Sequence, residues 1–244
     1  SAYDVVGGYN SEMAVLDDQD LMCRLYQVGD FYHIAEPLYL QRKHGSNTQS
    51  QVDTNAFIQV ETVNMANFYI EPMMLRWCER NNLMALDLGS AHNKPEGYVG
   101  VDIQDGPGVD IVSDFLELDL PPNSVGVIRA HDLMEHISDK VAFIRKAYEL
   151  LADGGMLLSM TPSTDGRGAF QDPTHVAFYN ENSFWYYTRG EVAKYIGTPV
   201  RFQVSRLETL FPTEWHAQNN ISYVRANLIA IKNDGHKYGG VLEI

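Results

Sequence analysis

The sequence predicts an α/β fold: a doubly wound, mostly parallel sheet with an antiparallel C-terminal hairpin and a small N-terminal appendage. From Leu83 onward, short apolar runs alternate with helical stretches, as in a sheet covered by helices. The apolar runs are nearly continuous, which is typical of parallel strands buried on both faces. Farther along, Val200, Phe202 and Val204 alternate with polar residues, which predicts one strand of the hairpin.

The chain divides into three regions with different patterns. Residues 1–50 are rich in turn and loop signals, residues 51–82 have the pattern of a helical connector, and residues 83–244 carry the alternating strands and helices. The chain has 244 residues, of which 45% are hydrophobic and 11% aromatic, enough for one good-sized domain with a filled core. We therefore predict one main domain, preceded by a connector and an incomplete appendage.

Five apolar runs predict the strands of the parallel sheet. Gly or Asp flanks four of them, which is typical of strand ends. The runs are LMALDL at 83–88, YVGVDI at 98–103, VDIV at 109–112, VGVIRA at 125–130 and GMLLSM at 155–160. The run ISYVRANLIAIK at 221–232 supplies the hairpin partner of the alternating strand.

The segment between the last two parallel strands predicts a covering helix. Its apolar residues recur at helical spacing and share one face. These residues are Val141, Ile144, Tyr148 and Leu151. Ser138 is the expected N-cap, and Gly154 is the expected stop signal.

The charge balance and the cysteine usage exclude several classes of function. A formal net charge of −14 repels phosphate backbones, so no nucleic-acid partner is expected. Cys23 and Cys78 lie far apart and outside any CxxC motif, which argues against a disulfide framework or a thiolate zinc site and fits a reducing cytoplasm. Because no apolar run approaches the roughly 20 residues of a membrane span, none is predicted.

The stretch LDLGSAHNKPEGYVGVDI at 86–103 has the pattern of a nucleotide-cofactor site. A strand ends at Asp87 and Gly89, and a second strand ends at Asp102, where an acid can accept hydrogen bonds from ribose hydroxyls. Asp102 follows Asp87 by 15 positions, against about 20 in dinucleotide sites, which leaves little room for a phosphate-binding helix. S-adenosylmethionine has no phosphate and tolerates that loss. The alternative is an ordinary strand–turn–strand in which Asp87 and Gly89 only shape the turn.

The order of these acid-bearing strand ends resembles that of class I S-adenosylmethionine-dependent methyltransferases, which have a Rossmann-like sheet, over residues 83–188. LDLGS resembles the first cofactor motif of that family, and GVDI, VSDFLELDLPPNSVGVI, HDLMEHI and YELLADGGMLLSMTPS resemble the segments that follow it. The resemblance implies that Asp102 binds the ribose and that Asp114 lies near the adenine amine. The implied cofactor-binding residues are Asp87, Gly89, Ser90, Asp102, Ile103, Asp114, Phe115 and His131. Residues 90–93 depart from the family's glycine-rich continuation.

The segment HDLMEHISD concentrates ionisable groups just after a predicted strand. If this segment is helical, Asp132, Glu135 and His136 share one face, and His175 can join them from a later loop. The four residues form a candidate Mg²⁺ or Mn²⁺ site, similar to the acid-x-x-Glu-His arrangement of metal-dependent O-methyltransferases. The predicted catalytic residues are His136, His175 and Glu135, with an imidazole as general base or the metal ion as activator. The alternative is that the Glu-His pair only ties the strand end to a neighbouring loop.

The segment FQDPTHVAFYNENSFWYYT at 170–188 is the most aromatic part of the chain. On a helix Phe184, Trp185, Tyr186 and Tyr187 point about 100° apart, so one buried face cannot take all four. At least one ring is expected to border a cleft, where it would suit a sugar. A plain packing role for most of the rings is the alternative.

The first fifty residues resemble the end of the catalytic domain of family-2 glycosyltransferases. The resemblance rests on LDDQDLMCRL and PLYLQRKHG, and it implies Asp18 as the base and His44 as a metal or diphosphate contact. The nucleotide-binding half of such a domain, with its Asp-x-Asp motif, would precede Ser1, so sugar transfer by this chain is not expected.

Together these patterns predict an S-adenosylmethionine-dependent methyltransferase that acts on a hydroxyl of a sugar or glycan. The partner would be a small-molecule or glycan acceptor. Two alternatives stay open: a non-catalytic scaffold or glycan-binding module with a degenerate methyltransferase fold, and the C-terminal part of a bifunctional glycosyltransferase–methyltransferase.

Overall fold

The structure, a computed structural model, describes residues 1–38, 40 and 52–233. His44 lies outside the described residues. The chain forms two compact units, Ser1–Arg76 and Trp77–Ile244. Their boundary falls inside α3, a helix of 30 residues at Val52–Asn81 that covers the predicted connector.

The first unit contains α1 at Ala2–Val5, α2 at Asp17–Val28 and most of α3. Asp20 on α2 is buried, and its carboxylate accepts hydrogen bonds from Arg24 at 2.6 Å and from the Tyr69 hydroxyl at 2.5 Å. A buried charge is tolerated when it is paired and hydrogen-bonded. Asp20 therefore fastens α2 to α3 within this unit.

The second unit is built on one seven-stranded sheet with the order β3-β2-β1-β4-β5-β7-β6. Strands β1 to β5 pair in parallel, and β7 runs antiparallel to both β5 and β6. The strands are β1 Met84–Leu88, β2 Val99–Asp102, β3 Ile111–Val112, β4 Val125–His131, β5 Leu151–Pro162, β6 Phe202–Leu210 and β7 Tyr223–Ala230. This mostly parallel, Rossmann-like sheet with an antiparallel C-terminal hairpin confirms the predicted fold class.

One face of the sheet carries the main core. Leu86, Ile128, Leu157 and Leu228 follow one another across β1, β4, β5 and β7 in register, and each is fully buried. Burying one such side chain contributes about 1.5–3 kcal/mol. The same core cluster takes in residues of α4 and α6, so these two helices cover this face.

The covering helix α4 spans Lys140–Leu150. Its N-cap is Asp139, whose carboxylate accepts a hydrogen bond from the Ala142 amide at 2.9 Å, so the expected cap at Ser138 was wrong by one residue. Strand β5 follows the helix at once. Gly154 therefore lies inside that strand with φ +83° and does not stop the helix. Its left-handed backbone suits the irregular register between β4 and β5.

Short helices fill the remaining connections: α5 at Gly168–Gln171, α6 at Glu181–Thr188, α7 at Gly190–Ala193 and α8 at Glu214–Gln218. In α6 Phe184 and Tyr187 are buried, whereas Tyr186 is 40% exposed, so the four rings divide as the helical spacing predicted. None of the described helices is long and apolar enough to cross a bilayer.

Candidate active site

The carboxyl ends of the parallel strands meet at one edge of the sheet. The strand order reverses at β1, since β2 and β3 extend to one side of it and β4 and β5 to the other. In open α/β sheets, ligands bind in the crevice outside such a reversal. The candidate site residues of β1, β2 and β4 lie at or just beyond these strand ends.

The turn after β1 brings the backbone close to its neighbours. Gly89 has φ +72°, a left-handed conformation that favours glycine, and a Cβ on it would lie 3.2 Å from Leu133 Cδ1, so the leucine would have to shift. The described residues 89–98 contain turns and no helix, which confirms the expectation from the short spacing. The turn therefore presents no helix N-terminus to a phosphate.

Ser90 belongs to this turn and is buried, with 4% of its surface exposed. A Cβ on Gly100 would lie 2.7 Å from Ser90 Oγ and 1.9 Å from the Gly108 carbonyl oxygen. The Ser90 hydroxyl has no hydrogen-bond partner within the described part of the chain. Gly100 and Gly108 were not predicted as site residues, although the recurrence of glycine in GVDIQDGPG is a visible signal of close packing.

Asp102 sits at the end of β2 with its carboxylate held in place. One oxygen accepts from the Ala91 amide at 3.2 Å, and the other accepts from the Gln104 amide at 3.0 Å. Because each carboxylate oxygen has two lone pairs, each keeps one for another donor. The geometry thus suits a ligand with two adjacent hydroxyls.

Asp87 is buried and forms an ion pair with Arg129 on β4, with Oδ1 and Nη1 2.8 Å apart. The two residues are register partners on adjacent strands. This ion pair links β1 to β4 inside the sheet. The contact of Asp87 with a cofactor stays a prediction.

The remaining predicted cofactor residues differ in exposure. Asp114 is exposed and caps a short 3₁₀ helix by accepting from the Leu116 amide at 2.8 Å. Phe115 is buried against Phe143, with ring centroids 5.0 Å apart, so it belongs to the core. Ile103 is 67% exposed just beyond Asp102.

His131 ends β4 in a half-buried position. Burial, together with the positive charges of Arg129 and Arg225, lowers the pKa of His131 to about 3. The imidazole is therefore neutral at physiological pH and can both donate and accept a hydrogen bond.

Asp132 departs from the predicted arrangement. It has φ +49°, and the helix that follows is a single 3₁₀ turn at Met134–His136, so the predicted shared α-helical face does not form. Asp132 lies instead near Tyr223 on β7, whose pKa is raised by burial and by this carboxylate. A non-glycine residue with positive φ is uncommon and is often found at functional sites.

Among the described residues, Glu135, His136 and His175 form a group with one ligand atom from each within 4.8 Å of the others. The two imidazole centroids are 5.0 Å apart at 72°. Glu135 is 2% exposed, accepts from Thr161 Oγ1 at 2.6 Å, and has a pKa raised mainly by burial. The structure thus brings together three of the four residues of the predicted metal site, and Asp132 lies outside the group.

The neighbours of the two imidazoles assign their tautomers. Nδ1 of His175 lies 2.9 Å from the Ala169 carbonyl oxygen, and Nδ1 of His136 lies 3.3 Å from the Thr174 carbonyl oxygen. A carbonyl only accepts, so in the neutral form of each ring Nδ1 carries the hydrogen and Nε2 is the acceptor. The Thr174 hydroxyl, 3.1 Å from Nδ1 of His136, donates to Asp172 and can accept from the same Nδ1–H. Backbone carbonyls fix metal-binding and catalytic histidines in this way.

The loop that carries His175 is fastened to the turn that carries Glu135. The amides of Val176 and Ala177 both donate to the Glu135 carbonyl oxygen, each at 2.9 Å. These main-chain bonds keep the two imidazoles side by side. The two histidines were predicted from the sequence, whereas main-chain bonds between their segments leave no signal in it.

No protein-family model and none of the curated proteins matches the chain. Solved structures that it is similar to include phosphoethanolamine N-methyltransferase 2 from Haemonchus contortus in complex with S-adenosyl-L-methionine. That match has 14% identity and a TM-score of 0.42, and covers 62% of this chain and 49% of the other. The chain therefore spans about half the length of the nematode enzyme.

Two further similar structures are described as S-adenosylmethionine-dependent methyltransferases. The protein from Archaeoglobus fulgidus is 14% identical with a TM-score of 0.40, over 65% of this chain and 93% of that one. The protein from Mesorhizobium loti is 14% identical with a TM-score of 0.38, over 60% of this chain and 90% of that one.

Proposed function

We propose that the chain is an S-adenosylmethionine-dependent methyltransferase that transfers the methyl group to a hydroxyl of a sugar or glycan. One observation carries the proposal: Asp102, His136 and His175 all belong to segments that follow strand ends at one edge of the sheet, and the two histidines lie together with Glu135. That arrangement supports a hydroxyl-binding acid and a proton acceptor at the same edge of the sheet.

The residues of the β1–β2 turn suit S-adenosylmethionine better than a dinucleotide. Asp102 would accept hydrogen bonds from both ribose hydroxyls through its two remaining lone pairs. Gly89 allows close approach, and the buried Ser90 hydroxyl lacks a partner within the described chain. A pyrophosphate would find no helix N-terminus in the described residues 89–98. Asp114, exposed beyond β3, would lie near the adenine amine.

The acceptor side supplies a general base. The sulfonium methyl is already electrophilic, so the protein must align a hydroxyl for in-line attack and remove its proton. His136 is exposed and His175 is half-buried, and in each neutral ring Nε2 is the acceptor because Nδ1 lies against a backbone carbonyl. Either imidazole can take the proton, and its Nδ1–H then stays bonded to a backbone carbonyl.

The same group fits a divalent cation. Glu135, His136 and His175 offer one carboxylate oxygen and two imidazole nitrogens within 4.8 Å of one another, and both rings are oriented through Nδ1. A bound Mg²⁺ or Mn²⁺ would lower the pKa of an acceptor hydroxyl. Asp132 lies outside this group.

The choice of a glycan acceptor is supported by the resemblance of the first fifty residues to a glycosyltransferase. Asp18, the expected base there, is exposed, and its carboxylate accepts from the Gln19 amide at 2.8 Å. We expect no turnover of sugar nucleotides by this chain. Release of nucleoside diphosphate that disappears in Asp18→Asn would contradict this expectation and support the bifunctional alternative.

Two measurements test the proposed function. Calorimetry with S-adenosylhomocysteine should show one site per chain, and an absence of binding would leave the scaffold alternative. Methyl transfer from radiolabelled S-adenosylmethionine to methyl glycosides and oligosaccharides should be detectable. Activity lost to EDTA and restored by Mg²⁺ or Mn²⁺ would favour the metal, whereas activity indifferent to EDTA would favour the general base.

A further inference from the structure

Two exposed phenylalanine rings lie in the segment that carries His175. Phe170 is 63% exposed and Phe178 is 40% exposed, and their rings stack with centroids 5.3 Å apart at 24°. In the same segment Tyr179 and Phe184 are almost completely buried. The stacked pair therefore stays partly in water although its neighbours in the same segment are buried, and a contiguous exposed apolar surface can mark a ligand site.

The backbone next to each phenylalanine is hydrogen-bonded to a residue of the candidate active site. Phe170 follows Ala169, whose carbonyl binds Nδ1 of His175. Phe178 follows Ala177, whose amide donates to Glu135, and the Phe178 carbonyl accepts from Lys140 Nζ at 3.2 Å. The backbone that carries the two rings is thus hydrogen-bonded to the segments that carry His175 and Glu135.

The chemistry of the two phenylalanine rings limits the kind of ligand that they can bind. Phenylalanine carries no hydrogen-bonding group, so it recognises a flat apolar face. A pyranose ring offers such a face through its axial C–H groups, and its hydroxyls project from the rim. Stacking would leave a rim hydroxyl free to reach the imidazoles.

We propose that Phe170 and Phe178 form the acceptor platform, on which the C–H face of an uncharged sugar ring stacks so that one hydroxyl meets His136 or His175. This inference rests on the proposed function, and it names the residues that determine acceptor specificity. The platform contributes to acceptor binding and takes no part in cofactor binding or proton removal.

Ligand-observed NMR provides the test, with methyl hexopyranosides as probes in the presence of S-adenosylhomocysteine. The wild-type protein should transfer saturation mainly to the C–H protons of one ring face. Phe170→Ala and Phe178→Leu should each weaken glycoside binding about 3–10-fold, since a stacking contact is worth that much. Phe170→Trp should retain binding because it keeps a flat face.

A matched control is Tyr195→Ala, which removes another ring, 72% exposed, on a separate short helix. It should leave glycoside binding unchanged. The proposal is overturned if no glycoside binds, if binding is insensitive to both phenylalanine variants, or if phenol binds and the glycosides do not.

Calorimetry on the same samples separates the two levels of inference. If the wild-type protein does not bind S-adenosylhomocysteine, the proposed function is refuted, whether or not glycosides bind. Normal cofactor binding and methyl transfer, with glycoside affinity unaffected in Phe170→Ala and Phe178→Leu, would refute the platform alone. In the expected case these variants raise KM for the glycoside and leave kcat within about twofold, as for uniform binding.

Discussion

Replacing Asp102 tests the cofactor site most directly. Each of its oxygens already accepts one backbone amide and keeps one lone pair, so two hydrogen bonds to a ribose are available. Losing one or two such charge-assisted bonds in Asp102→Ala should cost about 1.5–3 kcal/mol, or roughly 10–100-fold in affinity. Asp102→Asn keeps one acceptor oxygen and should lie between the wild type and Asp102→Ala.

The same substitution also removes the two bonds that order the Ala91 and Gln104 amides, so loop order must be controlled separately. Asp110→Asn is the matched control. Its carboxylate accepts from the Gly100 amide at 2.7 Å and pairs with Lys94, so it orders the same loops from outside the ribose position. Calorimetry with S-adenosylhomocysteine measures affinity, and thermal unfolding without ligand measures the loss of order.

The expected pattern is a large loss of affinity in Asp102→Ala and a small one in Asp110→Asn, with both variants still folded. Wild-type affinity in Asp102→Ala would refute the assignment to the ribose. Equal losses in both variants would show that the carboxylate acts by ordering the turn and not by contacting the cofactor.

Three further predictions concern other parts of the second unit. His136→Ala should lower turnover on an accepted glycoside about 10²–10⁴-fold and leave cofactor affinity unchanged, and a loss below threefold would exclude a general-base role for this residue. Arg129→Met removes the ion pair to the buried Asp87, so we expect about 1.5–3 kcal/mol of destabilisation and a fall in Tm of about 5 °C; a shift under 2 °C would contradict this. The pKa of His131 is about 3 in the folded protein and about 6.5 in the unfolded chain. The stability that the neutral imidazole contributes is therefore complete above pH 6.5 and decreases as the pH falls below that value. At pH 5 the loss should be about 2 kcal/mol. Chemical unfolding of His131→Asn should show a correspondingly weaker loss between pH 7 and pH 5, while the exposed His92→Asn should behave as the wild type.

The strands and their order along the chain were predictable because buried parallel strands leave continuous apolar runs in the sequence. The absence of a helix between β1 and β2 was also predictable, because residues 89–98 are too few to hold a full helix and the turns at its ends. The partner of Asp87 was not predictable. Arg129 lies 42 positions away, and only the register of β1 against β4 brings the two together.

The segment after β4 shows where periodicity fails. A helical spacing of Asp132, Glu135 and His136 predicted one shared face, but Asp132 adopts φ +49° and the helix is a single 3₁₀ turn. Three residues are too few for the 3.6-residue period to determine which side chains converge. Glu135 and His136 still meet His175, because main-chain bonds from a later loop bring that residue to them.

The two amides that share the Glu135 carbonyl have a consequence for how this protein can evolve. Main-chain bonds do not depend on side-chain identity, so replacements at exposed positions such as Phe170, Val176 and Phe178 leave the fastening of the loop intact. Substitutions that change acceptor choice can therefore occur without disturbing the positions of Glu135 and His175. A library randomised at these three positions should yield many folded proteins with altered acceptor choice, whereas a one-residue insertion between His175 and Ala177 should abolish activity by shifting that register.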